Sequence, residues 1–138
     1  MITLFFILID FSYLDQMKIL QTILITLVAL EHVYILYIEM FLWTKPKGMK
    51  TFGLKSKEFA EETKTLAANQ GLYNGFLAAG LFWSLYTGDV SVSLFFIICV
   101  CVAALYGAYS TKSNRILIVQ GTPAFITLAV LLINRFFM

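Results

Sequence analysis

The stretch Ala29-Leu30-Glu31-His32-Val33-Tyr34-Ile35-Leu36-Tyr37-Ile38-Glu39-Met40 decides how this chain is read. It places two carboxylates and the chain's single histidine inside an apolar run from about Ile19 to Trp43. A run of that length can cross a bilayer, whose hydrocarbon core takes roughly 20 apolar residues of helix. An ionisable side chain at membrane depth costs on the order of 2.5–3.5 kcal/mol on insertion scales, so it marks a functional site unless a neighbour explains it. Glu31, His32 and Glu39 are therefore the first candidates.

Composition agrees with the membrane reading. Of 138 residues, 60% are hydrophobic and only 13% are charged, and the mean hydropathy is +0.85. An ordinary soluble domain has about a quarter of its residues charged. The net charge of +2 is too small to point to nucleic acid, and no basic stripe carries interleaved aromatics. Cys99 and Cys101 are two apart in an apolar segment, so on a helix their side chains diverge by about 200°. They read as packing residues rather than a disulfide or metal pair.

Outward from the opening stretch, the expected architecture is an all-α membrane protein, a bundle of four transmembrane helices over about 19–43, 66–86, 90–109 and 116–133. Residues 17–138 form one domain. Residues 1–16 are expected to be an N-terminal extension, an interfacial segment or an outward lengthening of the first helix: the apolar part, Met1 to Ile9, is too short to span and ends at Asp10, and Met17-Lys18 could itself be a start. Thr44-Lys45-Pro46-Lys47-Gly48 ends the first helix, because proline and glycine disfavour its continuation. The segment from Met49 to Lys64 is polar, and Ser56-Lys57-Glu58 reads as a helical lead-in with its acids placed early. Thr87-Gly88-Asp89 is a tight turn.

Lysine and arginine bias in short loops sets orientation. Lys45, Lys47, Lys50, Lys55, Lys57 and Lys64 fall between helices one and two, and Lys112 and Arg115 between helices three and four, while Lys18 and Arg135 fall opposite. Both polar loops are therefore expected in the cytoplasm and both termini outside, in a multi-pass protein of the cell membrane.

With that topology the polar residues converge. Glu31 and His32 fall near mid-membrane, and Glu39 lies one turn from the cytoplasmic end. Asn69, Gln70 and Asn74 occupy the first turns of helix two, Tyr106 and Tyr109 the end of helix three, and Gln120 the start of helix four, before Pro123. The outer half is nearly all apolar. The expected site is one polar vestibule open to the cytoplasm, its ligand-binding residues Glu31, His32, Glu39, Asn69, Gln70, Asn74, Tyr106 and Gln120. On a straight helix His32 and Glu39 are about 20° apart in direction but roughly 10.5 Å apart in height, and the Glu-x-x-His spacing of bundle di-metal sites is absent. No metal site and no cofactor motif is expected. Ala67, Gly71, Gly75 and Ala79 form a small-xxx-small stripe that allows close helix approach, and homo-oligomerisation through it is expected.

Several phrases together resemble the domain-of-unknown-function (DUF) 1304 family of small membrane proteins. They are LVALEHVYILYIEMF at 27–41, Lys50-Thr51-Phe52-Gly53-Leu54, LAANQGLYNGFLAAGL at 66–81, VAALYGAYS at 102–110 and VQGTPA at 119–124. The resemblance implies no assigned activity, but it puts every candidate residue above inside a family phrase. A more distant likeness is to the eicosanoid and glutathione membrane enzymes, whose second helix carries a basic residue, then Asn and Glu, then proline. Asn69 takes the Asn place here, but Leu72 stands where the Glu would be and Gly75 where the proline would be. The likeness therefore implies a fold and not an activity.

Three functions compete on this reading. One is binding or transport of a small ligand, proton or cation in the vestibule. The second is a membrane enzyme on a lipophilic or thiol substrate, with Glu31 or His32 as general base. The third is a structural subunit whose polar groups only fasten helices.

Overall fold

The structure is a computed structural model that describes the backbone of residues 2–137 and the side chains of residues 14–136. The side chains of the apolar run Met1 to Ile9 and of Asp10 after it lie outside the described residues. The chain is all-helical, with no strand among the described residues. Helix α1 covers Ile2–Tyr37 and continues through a π-helical segment, Ile38–Leu42. The short α2 covers Pro46–Phe52, α3 Lys57–Thr87 and α4 Val90–Thr111. A turn of helix, α5 at Asn114–Ile116, leads through a second π-helical segment, Leu117–Gly121, into α6, Thr122–Phe137.

Local chemistry explains the breaks. Pro46 does more than stop the first helix: it stands at the first position of α2, where its missing N–H and fixed φ cost nothing. Gly53 closes α2 in the left-handed conformation, and Ser56 starts α3 by accepting from the Phe59 N–H at 3.2 Å. Gly88 ends α3, again left-handed, and Asp89 caps α4 by accepting from the Ser91 N–H at 2.8 Å. The second π segment has a visible cause. Pro123 cannot donate to the carbonyl four residues back, and the Thr122 N–H donates instead to the Leu117 carbonyl, five residues back.

The four long helices pack in a ring, α1 on α3, α3 on α4, α4 on α6 and α6 back on α1. Neighbours are antiparallel: Gly71 meets Met40 while Gly75 meets Leu36, Gly80 faces Phe96 while Ser84 bonds Ser93, and Gly121 approaches Ala104 while Arg135 bonds Ser91. The segment from Trp43 through α2 to the first turns of α3, which carries six of the eight lysines, and the α4–α5 turn therefore share one end of the bundle. The core is Ile25, Val28 and Ala29 of α1, Leu81, then Ile97, Val100 and Cys101 of α4, with Ala124 and Leu131. Cys101 is thus a core residue, and both cysteines are free thiols.

Much of the apolar bulk faces outward instead. Ile23, Leu27 and Leu30 on α1, Phe95, Ile98 and Val102 on α4, and Ile126 and Ile133 on α6 are all exposed. A soluble monomer rarely shows an apolar surface this continuous. Three helical stretches, Leu14–Leu42, Val90–Thr111 and Asn114–Phe136, are long and apolar enough to cross a membrane. Helix α3 is long enough at 31 residues, but Asn69, Gln70 and Asn74 lower its mean hydropathy below that of the other three.

Close approach is built in at two glycines. At Gly71 a Cβ would stand 2.7 Å from Met40 Cγ and 3.2 Å from the Leu36 carbonyl oxygen, so α3 lies directly against the end of α1. Ala67 and Gly71 of the small-residue stripe are buried in this contact, Gly75 faces Leu36, and Ala79 is exposed. Gly48 is buried where α2 folds back over Leu42, and a Cβ there would run into the Leu42 carbonyl and the Trp43 backbone. Because backbone atoms cannot swing aside, Gly48→Ala is expected to destabilise the protein by about 1–3 kcal/mol. A thermal melt in detergent checks this, and an unchanged melting temperature would show that α2 does not sit on α1 as described.

Candidate functional site

The π-helical segment Ile38–Leu42 turns Glu39 onto α3. Glu39 is 8% exposed, and its Oε2 accepts from Asn74 Nδ2 at 2.8 Å. Asn74 also donates to the Gln70 carbonyl at 3.1 Å. Two helices are thereby tied at the point where Gly71 allows them to touch. His32 is more deeply set, 1% exposed, with Nδ1 bonded to the Val28 carbonyl at 2.8 Å on its own helix.

Glu31 points elsewhere. It is half-buried and lines a cavity of about 540 Å³ at the lysine-rich end of the bundle. Four residues of α1, namely Glu31, Tyr34, Ile35 and Ile38, form one wall. The end of α2 and its loop, Thr51 to Leu54, cover it, while Thr111, Ser113 and Arg115 stand at the α4–α5 turn. Ile116, Val119 and Gln120 close the far side. Both π-helical segments contribute to this wall, Ile38 from the first and Val119 and Gln120 from the second. Such wide turns occur often at functional sites. The volume falls in the range of about 300–1,000 Å³ that holds a small molecule.

Trp43 divides this cavity from a second, shallower groove of about 310 Å³ that Glu39, Thr44, Lys64, Thr65 and Asn69 help to line. The indole is fixed on both sides. Its Nε1 donates to Thr63 Oγ1 at 3.0 Å, and its ring lies 4.9 Å from that of Phe52. Lys47 stands over the Tyr34 ring, 5.1 Å from its centre. The single vestibule expected from the sequence is thus two spaces with a tryptophan wall between them.

The candidate residues sort accordingly. Glu31 and Gln120 share the larger cavity, and Glu39 and Asn69 share the groove, with Asn74 bonded behind it. His32 lines neither space. Gln70 is exposed, and Tyr106 is 69% exposed on the outer surface of α4, turned away from both. Among the described residues no three His, Cys, Asp or Glu side chains converge as a metal site would require. The opposite half of the bundle is less apolar than its sequence reads. Ser93 donates to a buried Ser84 at 2.9 Å, and Gln21 is buried with no partner for its Nε2 among the described residues.

Several wall residues escape a reading of helices alone, because Trp43, the loop from Thr51 to Leu54, Ser113 and Arg115 all belong to connections. The one sequence signal for them was the Lys50 to Leu54 phrase. The Glu39–Asn74 tie can be measured directly. A double-mutant cycle with Glu39→Leu and Asn74→Ala should give a coupling of about 0.6–2 kcal/mol, the range for hydrogen bonds between membrane helices. Additive single effects would remove the tie.

Comparison with known proteins places the chain. The family model for proteins of unknown function, DUF1304, matches residues 26–132. That span includes every candidate residue from Glu31 to Gln120. The uncharacterised protein YpaA of Lactococcus lactis subsp. lactis (strain IL1403) is 33% identical over 115 residues, covering 81% of this chain and 96% of that protein. No solved structure matches the chain. By the span of the family match and by this relative, the chain belongs to the DUF1304 family.

Proposed function

We propose that the protein is a four-span membrane protein of the cell membrane, with both termini outside, that binds or moves a small ligand in the cavity beside Glu31. The observation that carries this reading is the cavity itself, walled by Glu31 and Gln120 and flanked by both π-helical segments. In this reading α3 is the fourth span. It takes the place in the ring between α1 and α4, and its polar side chains Asn69, Gln70 and Asn74 lie at the lysine-rich end rather than at mid-depth. Eight of the ten lysines and arginines gather at that end, which supports its assignment to the cytoplasm.

The polar groups then divide their work. Glu39 and Asn74 fasten α1 to α3, and His32 is satisfied by the Val28 carbonyl, so these three serve structure. Glu31 and Gln120 serve the ligand. Catalysis is less well supported: the histidine is spent on its own backbone, and Glu31 is the one acid among the residues that line the cavity. Homo-oligomerisation through the small-residue stripe would have to use Ala79 and its exposed neighbours, since Ala67 and Gly71 are covered by α1.

A thermal-shift screen of the purified protein tests the reading, because a molecule that binds only the folded state stabilises it by mass action. Divalent cations, glutathione and a lipid panel are the probes, each at two pH values. At least one probe is expected to raise the melting temperature of the native protein, and Glu31→Gln or Glu31→Ala should alter that rise while leaving the fold intact by circular dichroism. If every shift survives both substitutions, Glu31 is not part of a ligand site.

A further inference from the structure

The cavity beside Glu31 is not uniform along its length. Its mouth, at the lysine-rich end, is lined by Arg115, Thr51, Thr111 and Ser113, and the Thr111 hydroxyl there donates to the Gly107 carbonyl at 2.7 Å. The rest of the lining is mostly apolar, with Ile35, Ile38, Phe52, Leu54, Ile116 and Val119, and Gln120 is the one amide among it. Glu31 closes the deep end. On α1 it stands two turns below Ile38, roughly 10.5 Å along the axis. Tyr34 and Val119 are about half exposed on the outer surface while also lining the cavity, so the apolar part opens sideways between α1 and the start of α6.

Charge at the mouth has one sign. Arg115 lines it, Lys47 stands just outside over Tyr34, and Lys112 precedes Arg115 in the turn. The acids of this end, Glu58, Glu61 and Glu62, sit on the exposed first turns of α3, and none of them lines the cavity. A cation approaching the mouth meets like charge, whereas an anion is drawn in. The Arg115 guanidinium, with the Thr51 and Ser113 hydroxyls lining the same cavity, suits a carboxylate or phosphate head.

We infer that the cavity takes an amphiphile with an anionic head, bound at Arg115 and the neighbouring hydroxyls, and an apolar tail lying between α1 and the second π-helical segment toward Glu31. This inference rests on the ligand-binding reading and names its ligand class. The sideways opening lets the tail enter from the bilayer, and the carboxyl of Glu31 ends the apolar path and limits tail length. A free fatty acid and an anionic phospholipid of the inner leaflet share this chemistry.

Trp43 reports on the site, since it is one of the chain's two tryptophans and lines the cavity. In a Trp83→Phe background, in phosphatidylcholine nanodiscs, decanoate, decylamine and decanol differ only in their heads. Decanoate is expected to change Trp43 emission saturably, with decylamine and decanol weaker by about tenfold or more, as charge-assisted hydrogen bonds require. Arg115→Glu should abolish the preference for decanoate, and Arg115→Lys should retain part of it. Nanodiscs containing phosphatidylglycerol separate the two sources. Competition with decanoate assigns the site to the phospholipid, and no competition assigns it to the free acid. Equal affinity for the three heads, or an Arg115→Glu variant that keeps the preference, would overturn the inference while leaving a ligand site in place. No saturable response to any of them, with thermal shifts absent across the wider panel, would instead overturn the ligand-binding reading itself.

Discussion

The structure depends on how closely α3 can lie against the end of α1. Gly71 leaves no side chain between the helices, and Leu36, Glu39 and Met40 occupy the space a larger residue would fill. At that distance Glu39 reaches Asn74 directly. In water the bond would contribute little, but in hydrocarbon its value lies mainly in the cost of leaving either group unpaired. It fixes the height of α3 against α1. Through the tethered Trp43 it also fixes where the chain leaves α1 and folds back as α2. The cover of the cavity therefore follows from a contact on the other side of the tryptophan.

The two wide turns shape the cavity wall. On a regular helix Glu31 and Glu39, eight residues apart, already point about 80° apart, as the repeat of about 3.6 residues dictates. Glu39 accordingly serves the α3 contact while Glu31 faces the cavity on the side of the second π-helical segment. The second segment, set by Pro123, turns Val119 and Gln120 toward the same space. A buried acid pinned by an amide and a half-buried acid beside an empty volume have different chemistry: the first holds helices together, and the second is free to meet a ligand.

Helix positions were legible in the sequence because apolar runs, caps and glycines act locally. Ser56, Gly88 and Asp89 each do in the structure what their chemistry dictates, and the family resemblance read from the quoted phrases is the family to which the chain belongs. The candidate site was legible in part. Glu31 and Gln120 come together, but Tyr106 lies on the outer surface, since the end of α4 turns that face away from the ring. Helical periodicity assumes a regular repeat and so could not anticipate the π-helical segments that carry Ile38, Val119 and Gln120 into the cavity wall. Nor could it place Thr51 to Leu54 or Arg115, whose positions depend on how two connections fold over the bundle end. Pro46 read as a stop because its role as a start depends on Gly48 fitting under Leu42, a tertiary contact.

The central claim, that a ligand cavity beside Glu31 opens at the lysine-rich end and that this end is the proposed cytoplasmic one, has a direct measurement. With Cys99 and Cys101 replaced by alanine, Gln120→Cys would be the chain's one thiol, and its reaction with a membrane-impermeant maleimide can be followed in oriented vesicles. The account predicts labelling from the cytoplasmic face only, slowed by any ligand that stabilises the protein. Labelling from the outer face, or none from either face in folded protein, would contradict it.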